Sequence, residues 1–274
     1  MTRTLSAGAL PALLLLALPC VAATVPASMS QGALVEATVP AGSTATVNGK
    51  SVHVGADGML VFGAGRDEKG PITVVVTRPD GQRDTTRIAV TARAWPVERV
   101  NGVPPKTVNP PPDIAARIQR EQAEVAAARQ RDDEREDFAQ GFIWPVKGRI
   151  SGRFGSQRIF NGTPKSPHPG MDIAVPEGTP VKAPASGIVT FAKPGLYLTG
   201  GTVLIDHGFG VSSNFLHLSR LNVKVGQHVQ QGEVIGAAGM TGRATGPHLH
   251  WGVNWFEVRL DPMLLQGIEG TSPH

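Results

Sequence analysis

One cysteine, one tyrosine and no long apolar run beyond the amino terminus set the first limits on this 274-residue chain. The cysteine is Cys20, ahead of Val21-Ala22-Ala23, small residues that fit cleavage after Ala23. A chain processed there holds no thiol, so it has neither a disulfide nor a thiolate metal ligand. Pro19 in front of Cys20 fits poorly with a lipid-acylated first residue. After Leu13 to Leu18, no stretch approaches the ~20 apolar residues of a membrane-crossing helix, so no stable membrane insertion is expected. Also missing is any Lys/Arg-rich run interleaved with aromatics, which argues against nucleic acid as a partner. The net charge of +4 draws the surface only mildly toward anionic polymers.

What is present divides the chain into segments. Met1-Thr2-Arg3, the apolar stretch behind it and the small residues before Thr24 read as a signal peptide over 1–23, so the protein is expected to be exported. Residues 30–94 alternate strand-like runs with turn residues and predict a small all-β, sandwich-like domain without a cluster of catalytic residues. Within it, Thr44 to Val47 and Lys50 to Val54 flank Asn48-Gly49, a type I′ hairpin signal. Ile72 to Thr77 and Thr86 to Thr91 flank Pro79-Asp80-Gly81 in the same manner. A proline-rich linker, 95–112, carries Pro104-Pro105 and Pro110-Pro111-Pro112. It leads to a charged helix over 113–138, with Asp113 as its expected N-cap. Ile114, Ile118 and Val125 give that helix only a thin apolar stripe, which predicts a largely exposed helix packed along one side. Residues 141–265, with glycines bounding short Val/Ile-rich segments, predict a second all-β domain, followed by a flexible tail at 266–274. The fold class is mainly β, an antiparallel carboxy-terminal sheet preceded by the small domain and the linker helix.

The chemistry lies in that second domain. His168 and Asp172 in His-Pro-Gly-Met-Asp, His217 in Phe-Leu-His-Leu-Ser, and His248 and His250 in Gly-Pro-His-Leu-His-Trp together look like a zinc site. Spacings of four and two are even, so on extended strands each pair would share one sheet face. Two imidazoles and a carboxylate leave a fourth tetrahedral position open for water, as in catalytic zinc sites. His53, His207 and His228 stand alone in the sequence and read as structural or surface residues.

The ordered set, with Gly148 to Gly155, Gly178 to Val181, Val203 to Gly208 and Gly239 to His250, resembles the lysostaphin-type (LytM-like) zinc metallopeptidases over residues 141–265. The resemblance implies one zinc ion held by His168, Asp172 and His250, with His217 and His248 as the non-ligand catalytic histidines. It also implies zinc-bound water attacking an amide in the peptide stems or cross-links of peptidoglycan. Phe215 and Gly252 depart from the family's usual tyrosine and glutamate, the latter bearing on which group supports a ligating imidazole. Tyr197, Arg158 and Asn161 lie in loops expected near the site. The lack of a wall-anchoring segment points to a gram-negative periplasm. The competing reading is a catalytically inactive LytM-like regulator that activates an amidase or the division machinery, for which a missing ligand would be the mark. A regulatory protein partner is compatible with either reading, and the sequence leaves the oligomeric state open.

Overall fold

The computed structural model describes residues 23–101 and 110–268. Nearly all of the expected signal peptide, Cys20, Pro104-Pro105 and most of the expected tail lie outside them. In chain order the strands are β1 (Ser28–Ser30), β2 (Leu34–Thr38), β3 (Thr44–Val47), β4 (Lys50–Val52), β5 (Met59–Gly63), β6 (Ile72–Thr77), β7 (Arg83–Thr91) and β8 (Val97–Val100). After helix α1 (Pro112–Ala128) come β9 (Arg149–Gly152), β10 (Gln157–Phe160), β11 (Thr163–Pro164), β12 (Met171–Ala174), β13 (Pro180–Lys182), β14 (Gly187–Leu196) and β15 (Gly200–Gly208). The chain continues through β16 (Val211–Leu218), β17 (Arg220–Leu221), β18 (His228–Val229), β19 (Val234–Ala237), β20 (His248–Trp255) and β21 (Val258–Leu260). Among the described residues no helix is long and apolar enough to cross a membrane.

The amino-terminal module sets a five-stranded sheet, ordered β1-β7-β6-β3-β4, beside the pair β2-β5. Its turns follow their residue chemistry: Asn48 and Gly49 both take positive φ, +48° and +80°, as a type I′ turn demands. In the second turn Asp80 Oδ1 accepts the Gln82 amide at 2.9 Å and Gly81 sits at φ +84°. The large sheet runs β18-β14-β15-β16-β20-β12-β9, with β21 on β20, and every neighbouring pair is antiparallel. One face of β15, β16 and β20 is core, where Phe215, Leu249, Trp251 and Val253 are fully buried. The other face carries the histidines.

The structure alters three expectations. Trp95 to Val100 is not free linker: β8 pairs in parallel with β10, and the Trp95 ring meets Phe154 edge-on at 5.7 Å. Val97-Glu98-Arg99-Val100 lacks the apolar/polar alternation of a half-buried strand, prolines adjoin it, and its partner is distant in sequence. Asp113 is not the N-cap. Pro111 takes that place with Pro112 at the first helical position, and Asp113 lies inside the first turn, where a carboxylate still favours the helix dipole. The helix also stops at Ala128, short of the expected 138. After it, residues 129–136 run irregularly to a 3₁₀ turn at Asp137–Gln140.

The two β modules share one contiguous apolar core instead of having one each. A Cβ on Gly63 would lie 2.7 Å from Leu260 and 3.4 Å from Trp255, so β5 is packed directly against the β20-β21 hairpin. Asp261, almost fully buried, accepts Arg93 at 2.8 Å and ties the seam.

Candidate metal centre

Strand register builds the centre. Asp172 in β12 lies directly opposite His250 in β20, so both side chains leave the same face, and His250 Nδ1 comes within 2.8 Å of Asp172 Oδ1. His248, two residues earlier on β20, shares that face. His168 arrives differently from the sequence expectation: it lies in the loop ahead of β12, so the even spacing to Asp172 is not a strand repeat. The turn at Pro169-Gly170 folds it back until Nε2 stands 3.0 Å from both Asp172 Oδ1 and His250 Nδ1. Gly170 allows this, since a Cβ there would meet Trp251 O at 2.5 Å and His250 Nε2 at 2.8 Å. Gly152 serves the same end, with Asp172 Oδ2 only 2.6 Å from where its Cβ would be.

His168, Asp172 and His250 each offer one ligand atom, all within 4.8 Å of one another, a set able to hold a metal ion. Two imidazoles and a carboxylate converging on one point, with Asp172 Oδ1 facing both rings, are a donor set that fits a divalent cation. His168 Nδ1 lies 3.1 Å from Arg153 O, which places the proton on Nδ1 and leaves the Nε2 lone pair facing the centre. Arg158, expected in a loop where it could touch substrate, instead lies in β10, and its Nη2 donates to Asp172 Oδ2 at 2.9 Å, steadying the carboxylate. Burial opposes ionisation of Asp172, but hydrogen bonds and charge from His168 and His250 outweigh it and hold the carboxyl well below the usual range. Burial pushes His250 down to about 4, so its ring is neutral at pH 7 and its lone pair is available. Its Nε2 is buried without a hydrogen-bond partner among the described residues. Gly252, where the family's glutamate stands, supplies no acceptor. Asn214 fills that space, 2.6 Å from a would-be Cβ. Phe215 lies in the core opposite Trp251, away from the histidine face.

The other two histidines form the second half. A bulge in β16, opposite Gly201 to Val203, turns His217 into left-handed backbone at φ +65°. That conformation costs on the order of 1 kcal/mol for a non-glycine residue, and it aims the ring across the sheet face. His217 Nδ1 lies 2.8 Å from Thr241 O, and its ring centroid lies 4.7 Å from that of His248. Burial lowers His217 to about 4. His248 Nδ1 lies 2.8 Å from Gly246 O, and its Nε2 is 3.8 Å from Asp172 Oδ1. All five sequence-selected residues therefore stand together.

The remaining candidates scatter. The Tyr197 amide donates to Glu121 of α1 at 2.7 Å, and Asn161 takes φ +49° in the turn between β10 and β11. His207 is fully buried between Ser186 O and Ser213 Oγ, at 2.6 and 2.8 Å, a structural residue. His53 stacks on Phe209, and His228 is exposed. Sequence reasoning missed the carbonyls of Arg153, Thr241 and Gly246, which carry no side-chain signature. It also missed Gly170, signalled only by the Pro-Gly turn pair.

Two cavities flank the centre. One, of about 840 Å³, reaches His168 and is bordered by Arg158, Phe160 and Arg243. The other, of about 400 Å³, separates α1 from the sheet and reaches His250, Asn214 and Leu216. Gln122 of α1 borders both, so the helix lies across the histidine-bearing face.

Residues 166–262, which hold all five site residues, match the model of peptidase family M23. A solved structure of an M23 peptidase from Pseudomonas aeruginosa is 34% identical, covers 86% of this chain and 93% of its own, and superposes with a TM-score of 0.66. The chain belongs to peptidase family M23. Peptidoglycan DD-endopeptidase ShyA of Vibrio cholerae is 44% identical over 111 residues, which are 39% of this chain and 26% of ShyA. Cell division protein DipM of Caulobacter vibrioides is 32% identical over 226 residues, 75% of this chain and 34% of DipM. The chain thus spans between 26% and 34% of the length of these two relatives.

Proposed function

We propose that the chain is an exported zinc metalloendopeptidase that hydrolyses peptide stems or cross-links of bacterial peptidoglycan, acting in the periplasm. The observation that carries this reading is the convergence of His168, Asp172 and His250 within 4.8 Å, with His217 and His248 beside them. Those three residues would hold the zinc. When bound, zinc supplies a Lewis acid for the scissile carbonyl and lowers the pKa of water toward about 7. Two imidazoles and one carboxylate are the donors zinc takes in hydrolytic sites, and they leave a position open.

The rest follows from the chain's own residues. With Nδ1–H donated to Thr241 O, His217 keeps Nε2 as its proton-accepting nitrogen, and burial keeps it neutral at pH 7. His248, fixed by Gly246 O, presents Nε2 in the same way. Between them the two rings cover proton acceptance from water and proton donation to the leaving amine. Export rests on the leader-like residues 1–23. The inactive-regulator reading expected a missing ligand, and the presence together of His168, Asp172 and His250 supports the catalytic reading instead.

The test is digestion of purified peptidoglycan with and without chelator, followed by mass spectrometry of the muropeptides. Cross-linked dimers are expected to disappear only when metal is present, and His248→Ala is expected to keep its zinc yet lose turnover. Dimers that persist with a zinc-loaded protein would refute endopeptidase action.

A further inference from the structure

The larger cavity has a charge pattern that metal binding does not explain. Its lining carries five cationic side chains against three carboxylates. Arg158 is held by Asp172 Oδ2 at 2.9 Å and, more loosely, by Glu98 at 3.6 Å. Arg243 comes from a different loop, between β19 and β20, and its guanidinium lies 5.7 Å from the Phe160 ring centre. It is exposed, and among the described residues it forms no ion pair. Arg243 and Arg158 border the same cavity, and partial loss of hydration, then the like charge of Arg158, lower the pKa of Arg243. A free surface arginine ordinarily swings to a carboxylate or out into water. Here stacking on Phe160 helps to keep it beside a second cation at the rim of the metal centre. Such a pair is built for an anion that arrives with the substrate, because a guanidinium's planar fork matches a carboxylate.

We propose that Arg243, with Arg158 as its fixed neighbour, binds a free carboxylate on the peptide next to the cleaved amide, so that anionic peptides are selected over neutral ones. This rests on the peptidase reading above and names the substrate class for that site. Arg243 is then a specificity-determining residue.

The test uses the zinc-loaded full chain and two synthetic peptides that differ only in a carboxylate or carboxamide beside the scissile bond. The wild type is expected to favour the carboxylate peptide in kcat/KM by roughly tenfold to a hundredfold, the scale of one charge-assisted hydrogen bond. In Arg243→Ala that ratio falls toward one, and Arg243→Lys restores part of it. A second arm measures calorimetric binding of both peptides to chelator-treated protein, where the same preference and the same loss are expected. A wild-type ratio near one, or a ratio that Arg243→Ala leaves intact while both rates fall, would overturn the proposal. If the zinc-loaded wild type cleaves neither peptide, the peptidase reading fails, and the binding arm alone decides whether the carboxylate site exists.

Discussion

Gly170 decides how closely the His168 loop approaches β20. In Gly170→Ala the new methyl falls within 3.0 Å of Trp251 O and His250 Nε2, neither of which is the end of a flexible chain. Overpacking of this kind costs about 1–3 kcal/mol, so denaturant unfolding is expected to show that loss together with weaker zinc binding. Gly246→Ala, with nothing within 4 Å, is the control and is expected to leave both unchanged. At this scale the sequence was partly legible. His248-x-His250 could be read because β20 is a regular strand, where alternation alone fixes the face. His168 reaches the same centre through an irregular loop. There spacing carries no directional information, and only the family resemblance identified it. The bulge that re-aims His217 was illegible for a related reason: it depends on pairing with β15, not on local residues.

At the scale of elements, α1 is the part whose attachment contrasts most with its position. It spans the histidine-bearing face, yet none of its residues is fully buried. Val125 and Ala128 pack against Phe191, Leu196 and Leu204. Otherwise the helix is held by polar contacts: Arg117 Nη2 to Gly195 O at 2.8 Å, Glu121 to the Tyr197 amide, and Lys193 to Glu124 at 2.6 Å. Exposed contacts of this kind contribute ~0–1 kcal/mol each. Gln122 borders both cavities, so on the peptidase reading a peptide entering them would meet the helix. Glu121→Ala, which also removes the Arg117 pair, is therefore expected to raise kcat/KM toward cross-linked peptide. The same variant should speed amide exchange across residues 112–128 while global unfolding shifts by no more than about 1 kcal/mol. Unchanged turnover alongside faster exchange would show that the helix does not limit access. The hairpins of the amino-terminal module were legible from Asn48-Gly49 and Pro79-Asp80-Gly81, where turn chemistry is local. The parallel pairing of β8 with β10 was not, because residues 97 and 157 are brought together only by tertiary packing.

At the scale of the whole molecule, one core joins the modules, so the chain is expected to unfold in a single transition instead of two. Three buried histidines, His207, His217 and His250, are expected to make the fold sensitive to acid. His207 is fully buried and burial pushes it down to about 4, against an ordinary value near 6.5. The unfolded chain therefore binds a proton at His207 that the folded chain refuses. The His207 contribution is complete above about pH 6.5 and is lost as pH drops toward 4, by about 3 kcal/mol. Urea unfolding of chelated protein between pH 7 and pH 4 is expected to show that slope, and His207→Gln is expected to reduce it without abolishing it, since burial also pushes His217 and His250 down to about 4; an equal slope in both would remove His207 as a cause. Composition could say that His207 was structural, but not that it titrates with folding, because its burial arises from strands distant in sequence. The central claim is that two histidines and one aspartate form a single metal seat. Native mass spectrometry of the full chain after zinc equilibration tests it most directly. One zinc per chain is predicted for the wild type and for His217→Ala, and none for Asp172→Ala. A wild type that stays empty, or an Asp172→Ala variant that fills to the same level, would contradict it.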